Sequence, residues 1–348
     1  MDGRNPYAIT FGRIPNRFIG RDMLIDDIVE TLESETVDGQ AFKITGIRGT
    51  GKTVTLTAIE RTLKQNKKWV IIDLRPGGNL IDDLVSALYA EVPFLKEYID
   101  TNLNLSALGI GVEISRRKPS MTSDTALKKL LKEVSKKKKR VLVVIDEVHY
   151  TPALVDFIQQ FQIFIREELP IYLIVAGLYE DIECIENTDG LTFFLRAEKY
   201  EMTPINITII REEYRQTLGI DFDTADEMAR MTRGYAFAYQ AFGKYMWESG
   251  GKVLTDMVVA QVDDALAQKV YNKIWSELRP TDKWFLQFIA KKDSMSATEL
   301  LEMTHKSHSE WSAPRKRLIE KGIIDGSIRG RISLRLPRFK EYVEANME

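Results

Sequence analysis

The feature that most constrains this 348-residue chain is the octapeptide GIRGTGKT at residues 46–53, which matches the pattern G-x-x-x-x-G-K-[ST] in full. It follows the apolar stretch Ala41–Gly46 and precedes the amphipathic stretch Thr53–Lys64, so it joins a predicted strand to a predicted helix. Glycines let the backbone turn with its N–H groups inward, and a helix N-terminus attracts anions. The motif in this context predicts a phosphate-binding loop.

Each residue type in this loop has a chemical role. We expect main-chain N–H groups to hold the phosphates of ATP, Lys52 to pair with the β- and γ-phosphates, and the Thr53 hydroxyl to bind Mg²⁺. The loop residues predicted to bind the nucleotide are Gly46, Ile47, Arg48, Gly49, Thr50, Gly51, Lys52, Thr53 and Val54.

Two carboxylates, Asp146 and Glu147, follow the apolar run Val141–Ile145. We expect this strand to lie beside the phosphate loop, with Asp146 organising the Mg²⁺ ion and its water. Glu147 would then polarise the attacking water. Lys52, through its contact with the phosphates, is also predicted to be catalytic. A strand that simply ends in solvent is the alternative for such a pair alone, but the complete loop upstream favours the catalytic interpretation.

Strand-like and helical stretches alternate over the first two hundred residues. Trp69–Leu74 and Ile171–Gly177 are nearly continuous apolar runs, which are typical of parallel strands buried on both faces. Amphipathic stretches such as Pro152–Glu168 lie between such runs. The pattern predicts an α/β fold, a P-loop NTPase sheet with helices on both faces. Ala107–Ser115 could be a short extra strand or an insertion.

The pattern changes after Thr203-Pro204 to helices only, and Arg279-Pro280 marks a second break. Helices over 282–291, 297–303 and 309–321, followed by strands over 322–328 and 331–336, predict a winged helix. We therefore expect an α/β ATPase domain at 1–204, an all-α lid at 205–279 and a winged-helix domain at 280–348.

Charge is concentrated in the last of these domains. The whole chain has a net charge of −2, whereas residues 306–340 contain ten basic and three acidic residues. Such a basic cluster is typical of a contact with a phosphate backbone. The residues expected to contact double-stranded DNA are Ser309, Trp311, Ser312, Arg315 and Lys316 on the third helix and Arg329 and Arg331 at the hairpin. A winged helix that binds protein is the alternative.

Composition excludes several other classes of protein. One cysteine, Cys184, forbids an intramolecular disulfide, and three histidines make a Cys/His zinc module untenable. No apolar run approaches the roughly 20 residues of a membrane-spanning helix. These observations predict a cytoplasmic protein without membrane association.

The loop and the DEVH sequence after the acidic strand together resemble the archaeal-type ATPases among the AAA+ and STAND P-loop proteins, which are similar to the initiator ATPases of origin recognition. Residues 16–22, NRFIGRD, resemble a segment whose apolar residues pack against adenine, which implies that Phe18 and Ile19 bind the nucleotide. Residues 193–197, FFLRA, resemble a helix end with an arginine near the γ-phosphate of a neighbouring subunit. The resemblance thus implies self-association and a catalytic Arg196, with Arg48 and Arg166 as rivals for that role.

Two departures from the family pattern predict slow turnover. The strand ends Val175-Ala176-Gly177, where the family often has a polar residue, and the lid sequence Gly234-Tyr235-Ala236 has alanine in place of proline. No arginine follows in that helix, and Lys244 is the nearest cation. ATP would then act mainly as a conformational switch that controls DNA binding. The alternatives are a signalling switch whose winged helix binds protein and a nucleotide-binding regulator without hydrolysis.

Overall fold

Five parallel strands form the central sheet in the described part of the computed structural model, which comprises residues 3–10, 18–34, 39–102, 122–292, 294–328 and 330–347. The strands are β1 (Ala41–Thr45), β2 (Trp69–Leu74), β3 (Arg140–Val148), β4 (Ile171–Gly177) and β5 (Glu198–Glu201). Their order is β2-β3-β4-β1-β5, and every neighbouring pair is parallel. All of β4 is buried, as a strand covered on both faces requires.

Helices flank this sheet and supply most of its core. They are α1 (Asp22–Glu33), α2 (Lys52–Lys64), α3 (Leu80–Glu91), α4 (Pro93–Asn102), α5 (Ser123–Lys136), α6 (Pro152–Arg166) and α7 (Tyr179–Glu186), and a 3₁₀ turn spans Thr192–Arg196. Leu84, Leu127 and Phe157 join strands β2, β3 and β4 in one hydrophobic cluster. Local signals define these helices: at α6, Thr151 caps the N-terminus by accepting from the Leu154 N–H at 3.1 Å.

An all-helical segment follows β5. It consists of α8 (Ile207–Leu218), α9 (Phe222–Met231), α10 (Ala236–Ser249), α11 (Asp256–Leu266) and α12 (Asn272–Ser276), and a π-helical turn at Ala267–Tyr271 joins the last two. Gly219 and Gly250 follow the ends of α8 and α10 with φ of 62°, the left-handed conformation that commonly terminates a helix.

The C-terminal module combines helices with a small antiparallel sheet, and the winged helix expected there stays a prediction. Its elements are α13 (Pro280–Ile289), β6 (Met295–Ser296), α14 (Ala297–Thr304), α15 (His308–Glu320), β7 (Ile324–Asp325), β8 (Arg331–Leu334) and α16 (Phe339–Ala345). Strand β8 pairs antiparallel with both β6 and β7, which gives the sheet order β6-β8-β7.

The predicted fold class is confirmed, with corrections to its details. Strand β4 lies between β1 and the acidic strand β3, a sheet order that the sequence did not predict. An apolar run shows that a strand is buried but does not fix its place in the sheet. Strands β5 and β6 and helix α16 were not predicted. Ala107–Ser115 lies outside the described residues.

The described residues form two compact units. One contains the described parts of Met1–Met23, Gly46–Gly51 and Met202–Glu348, and the other contains Leu24–Thr45 and Lys52–Glu201. The division into three domains at residues 204 and 279 stays a prediction.

Within the first unit, the all-helical segment is joined to the C-terminal module by polar and aromatic contacts. Arg338 makes a two-pronged ion pair with Asp263, at 2.8 and 2.6 Å. The Tyr342 hydroxyl donates to Asn272 at 2.8 Å, and the Tyr271 ring packs edge-on against Phe339. Two-pronged pairs and aromatic clusters fix relative orientation, so these two segments are held in a defined arrangement.

A buried cation lies on β1 in the second unit. The Lys43 side chain is 1% exposed, and its ammonium donates to Glu186 at 2.7 Å and to the Phe194 carbonyl at 2.8 Å. Glu186 also accepts from Lys199 at 2.9 Å. Burial alone would raise the pKa of Glu186, but the two ammonium groups lower it further than burial raises it, so the net shift is downward.

Glu186→Gln is expected to lower the free energy of unfolding by about 3 kcal/mol at pH 7, because it leaves the buried Lys43 ammonium without its counter-charge. Because the folded-state pKa of Glu186 lies below its ordinary value of 4.5, its stabilising contribution is complete above that pH and is lost as the pH falls through the lowered pKa. The difference between the two proteins should therefore shrink in acid.

Urea unfolding at pH 7 and at pH 4 measures both quantities, and Glu183→Gln on the exposed side of α7 is the matched control. An equal, pH-independent loss in both variants would contradict the interpretation of the buried pair.

Candidate functional site

The predicted phosphate loop is a tight turn between β1 and α2. Gly49 and Gly51 have φ of 78° and 94°, a region that favours glycine. The Thr50 hydroxyl donates to the Ile47 carbonyl at 2.8 Å, which closes the turn from inside the loop. Helix α2 begins directly afterwards at Lys52, so the loop leads into a helix N-terminus as the motif requires.

The beginning of helix α10 contacts this loop. The Tyr235 hydroxyl donates to the Arg48 carbonyl, and the Phe237 N–H donates to the Gly49 carbonyl at 3.0 Å. The Arg48 guanidinium pairs with Glu277 at 3.1 Å. Arg48, one of the rivals for a role in a neighbouring subunit, thus has an ion-pair partner within its own chain.

The two residues predicted to hold Mg²⁺ lie side by side. The Thr53 hydroxyl donates to Asp146 Oδ2 at 2.5 Å, and Asp146 Oδ1 accepts the Glu147 N–H at 2.8 Å. Among the described residues there is no cluster of three or more acidic, His or Cys side chains that could hold a metal. A Mg²⁺ ion fits the Thr53–Asp146 pair, because this ion usually takes one or two protein oxygens and completes its shell with water and phosphate.

A β-bulge lies at the acidic pair, where Asp146 is half-buried and Glu147 is exposed. The register between β3 and β4 shifts between Ile145, opposite Val175, and Val148, opposite Gly177, which leaves one extra residue on β3. Glu147 has φ of 54° and is exposed, whereas the strand before it is buried. Non-glycine residues with positive φ are uncommon and cluster at functional sites.

Gly177 has a structural reason to lack the polar side chain expected at the end of β4. A Cβ atom at this position would lie 2.9 Å from the Val148 carbonyl oxygen and 3.0 Å from Val148 Cγ2. The glycine that replaces the family's polar residue is therefore explained by the close approach of Val148, which lies in the bulge.

The N-terminal segment predicted to contact adenine is half-buried at Phe18 and Ile19. The next residues are tightly packed: a Cβ at Gly20 would lie 2.8 Å from Ile205, and Arg21 donates to the Thr203 carbonyl at 2.6 Å. Burial lowers the pKa of Arg21. The anchored residues fix the position of the segment that contains Phe18 and Ile19.

Arg196 is exposed at the end of the 3₁₀ turn, next to the exposed Leu195. The Phe194 carbonyl, two residues before Arg196, accepts a hydrogen bond from the Lys43 ammonium. Arg166, its other rival, is exposed at the end of α6. The surface position of Arg196 is compatible with a contact to another chain.

The predicted DNA contacts differ in their accessibility. Ser309, Lys316 and Arg331 are exposed, Ser312 and Arg315 are half-buried, and Arg329 lies outside the described residues. The expectation for Trp311 is wrong, because its side chain is 1% exposed and its ring stacks on Phe285 at 5.9 Å. Trp311 is a core residue of the module.

The sequence also did not reveal that some cations of the basic cluster make contacts within the module itself. Arg317 pairs with Asp282, which is 1% exposed, so its charge stabilises the module. Lys306 is exposed and lies 4.3 Å from the centroid of the Trp284 ring, a cation–π contact at the surface. The Tyr235 contact with the loop was missed as well, since no local pattern distinguishes it from a core tyrosine.

Comparison with known proteins agrees with this geometry. Residues 36–184 match the AAA domain family AAA_22, and residues 268–343 match a domain of unknown function, DUF8462. A search of curated proteins found no match.

Solved structures match over almost the whole chain. The Aeropyrum pernix ORC2 protein in its ADPNP–ADP complexes matches with a TM-score of 0.60 and 14% identity, covering 97% of this chain and 96% of that one. The Cdc6p of Pyrobaculum aerophilum matches with a TM-score of 0.50 and 16% identity, covering 97% and 95%. Residues 36–184 thus match an AAA domain, and the chain has the fold of the ORC2 and Cdc6p structures. No described helix is long and apolar enough to span a membrane.

Gly177→Ala is expected to lower the free energy of unfolding by about 1–3 kcal/mol, because its Cβ would push on the Val148 backbone within the bulge. The displacement should also reduce any nucleotide hydrolysis, since the bulge contains Asp146 and Glu147. Urea unfolding and phosphate release measure the two effects.

Gly77→Ala is the control, because a Cβ there meets nothing within 4 Å and the backbone has no positive φ. If both alanine variants behave alike, the packing argument at the bulge fails.

Proposed function

We propose that this chain binds Mg-ATP, hydrolyses it slowly, and uses its nucleotide state to control binding of double-stranded DNA by the C-terminal module. The observation that carries the proposal is the contact between Thr53 and Asp146 directly after a complete phosphate loop. The fold supports it, since the Aeropyrum pernix ORC2 protein was solved with ADPNP and ADP.

In this proposal the loop N–H groups and Lys52 bind the phosphates, while Phe18 and Ile19 contact adenine. Thr53 and Asp146 would hold Mg²⁺, which neutralises charge on the β- and γ-phosphates when bound. Glu147 orients and polarises the water that attacks the γ-phosphate. Its exposed position leaves its carboxylate open to that water.

We expect slow turnover because the sequence departs from the family pattern at the end of β4 and at residues 234–236 of the lid. Gly177 offers no side chain at the end of β4, and Lys244 pairs with Glu248 at 2.8 Å. Arg196 from a second copy of the chain is the candidate for the missing positive charge, which would make hydrolysis depend on self-association.

Lys52→Ala is expected to abolish ATP binding, whereas Glu147→Gln should bind ATP normally and lower turnover by at least about 100-fold. The reason is that Lys52 contacts phosphate in the ground state, but Glu147 acts on the water. Calorimetry in magnesium buffer gives the affinities, and phosphate release gives the rates. Wild-type turnover in Glu147→Gln would show that another group orients the water.

For the C-terminal module, exposed cations provide the DNA contact. Lys306, Lys316 and Arg331 are all exposed, and phosphate contacts by such groups depend strongly on salt. The alternative, a protein-binding module, gains support from Arg317 and Arg338, since both are used in internal ion pairs.

The triple variant Lys306→Ala/Lys316→Ala/Arg331→Ala is expected to weaken binding to duplex DNA and to reduce the slope of log affinity against log salt by about three. Fluorescence anisotropy between about 50 and 200 mM salt measures both. Lys269→Ala, an exposed cation of the all-helical segment, is the control. An unchanged affinity in the triple variant would favour the protein-binding alternative.

A further inference from the structure

Two neighbouring carbonyl groups of the phosphate loop are held from one side by helix α10. The Tyr235 hydroxyl donates to the Arg48 carbonyl, and the Phe237 N–H donates to the Gly49 carbonyl at 3.0 Å. We call this pair of hydrogen bonds the carbonyl grip. It uses no charged group and acts on the backbone of the loop.

The carbonyl grip determines where two N–H groups of the loop point. In a trans peptide the C=O and N–H bonds point in opposite directions. Because the Arg48 and Gly49 oxygens face helix α10, the N–H groups of Gly49 and Thr50 face away from it. Successive N–H groups on one side form the concave nest that binds anions, and the φ of 78° at Gly49 permits that arrangement.

The position of Tyr235 is specific to this contact. Its side chain is buried, and a Cβ atom at Gly49 would lie 2.1 Å from its hydroxyl oxygen, so only glycine leaves room for the hydroxyl. Burial raises the pKa of Tyr235, so the hydroxyl keeps its proton and remains a donor.

We propose that Tyr235 is a positioning residue for nucleotide binding, and that its hydroxyl, together with the Phe237 N–H, sets the loop N–H groups toward the phosphates before the nucleotide arrives. The inference rests on the proposed ATP site. Because the grip acts on the loop and not on the γ-phosphate, it strengthens ATP and ADP binding by the same factor. These two neutral donors supply part of the stabilisation of bound phosphate that a cation from the all-helical segment would otherwise supply.

The test is Tyr235→Phe in the full chain, which removes one hydroxyl. The Kd values of ATP and ADP, measured by calorimetry in magnesium buffer, should both rise about three- to tenfold. Tyr271→Phe is the matched control, because Tyr271 is also buried in the same unit and its hydroxyl donates to a backbone carbonyl, that of Pro337. Both variants should lose similar thermal stability, but only Tyr235→Phe should lose nucleotide affinity.

A second pair of variants tests the other half of the grip. Phe237→Pro removes an N–H in the first turn of α10, where N–H groups have no partner within the helix, and Phe237→Ala removes the ring but keeps the N–H. The proline variant should bind ADP about three- to tenfold more weakly than the alanine variant. If Tyr235→Phe does not fold, this comparison still tests whether the carbonyl grip strengthens nucleotide binding.

The outcomes separate the two proposals. If the wild-type protein binds nucleotide and Tyr235→Phe binds it equally well, the proposed role of the carbonyl grip is wrong and the proposed ATP site stands. Equal affinity losses in Tyr235→Phe and Tyr271→Phe also overturn it, since a general loss of stability would then be the cause. Wild-type protein that binds neither ATP nor ADP overturns the proposed function itself.

Discussion

The hydrogen bond between Thr53 and Asp146 is the interaction on which the proposed chemistry depends. It joins the first turn of α2 to the end of β3 at 2.5 Å. Parallel strands make this possible, because their carboxyl ends meet at one edge of the sheet and the loops after them converge there. The bulge in β3 then turns Glu147 outward, and the glycine at the end of β4 leaves space for the bulge. Asp146 and Glu147, to which we assign the metal and the attacking water, therefore lie on the same bulge.

The unit that contains the phosphate loop offers a physical route from nucleotide to the C-terminal module. Arg48 in the loop pairs with Glu277, which directly follows α12. Asn272 at the start of α12 accepts from Tyr342 of α16, and Arg338 pairs with Asp263 of α11. These contacts are directional, and the Tyr271 ring packs edge-on against Phe339 beside them, so the two segments would move together with the loop. In the proposed switch they are the elements that respond to ATP.

Much of the fold could be predicted from the sequence because its signals are local. The strands Trp69–Leu74 and Ile171–Gly177 have the predicted bounds, since continuous apolar runs mark buried parallel strands. Strand β5 was missed because its sequence EKYE is mostly exposed and has no apolar run. The conformation of the phosphate loop could be predicted because the motif itself determines it. The place of β4 between β1 and β3 could not, because it depends on packing between distant segments.

Site residues that belong to a sequence motif could also be predicted, whereas those that depend on distant partners could not. Thr53 and Asp146 could be paired in advance because each belongs to a motif with known chemistry. Trp311 was misjudged because the basic residues around it suggest an exposed face, while its ring fills the space next to Phe285. Tyr235 and Arg317 gained their roles from partners far away in sequence, Arg48 and Asp282, which no local pattern reveals.

One measurement tests the central claim most directly: titration of the wild-type chain with ATP, followed by calorimetry, once with magnesium and once with excess chelator. The proposed function predicts saturable binding at one site per chain in magnesium and a clear loss of affinity without it, because Thr53 and Asp146 would hold the metal. Absence of heat with magnesium, for both adenine and guanine nucleotides, would contradict the account.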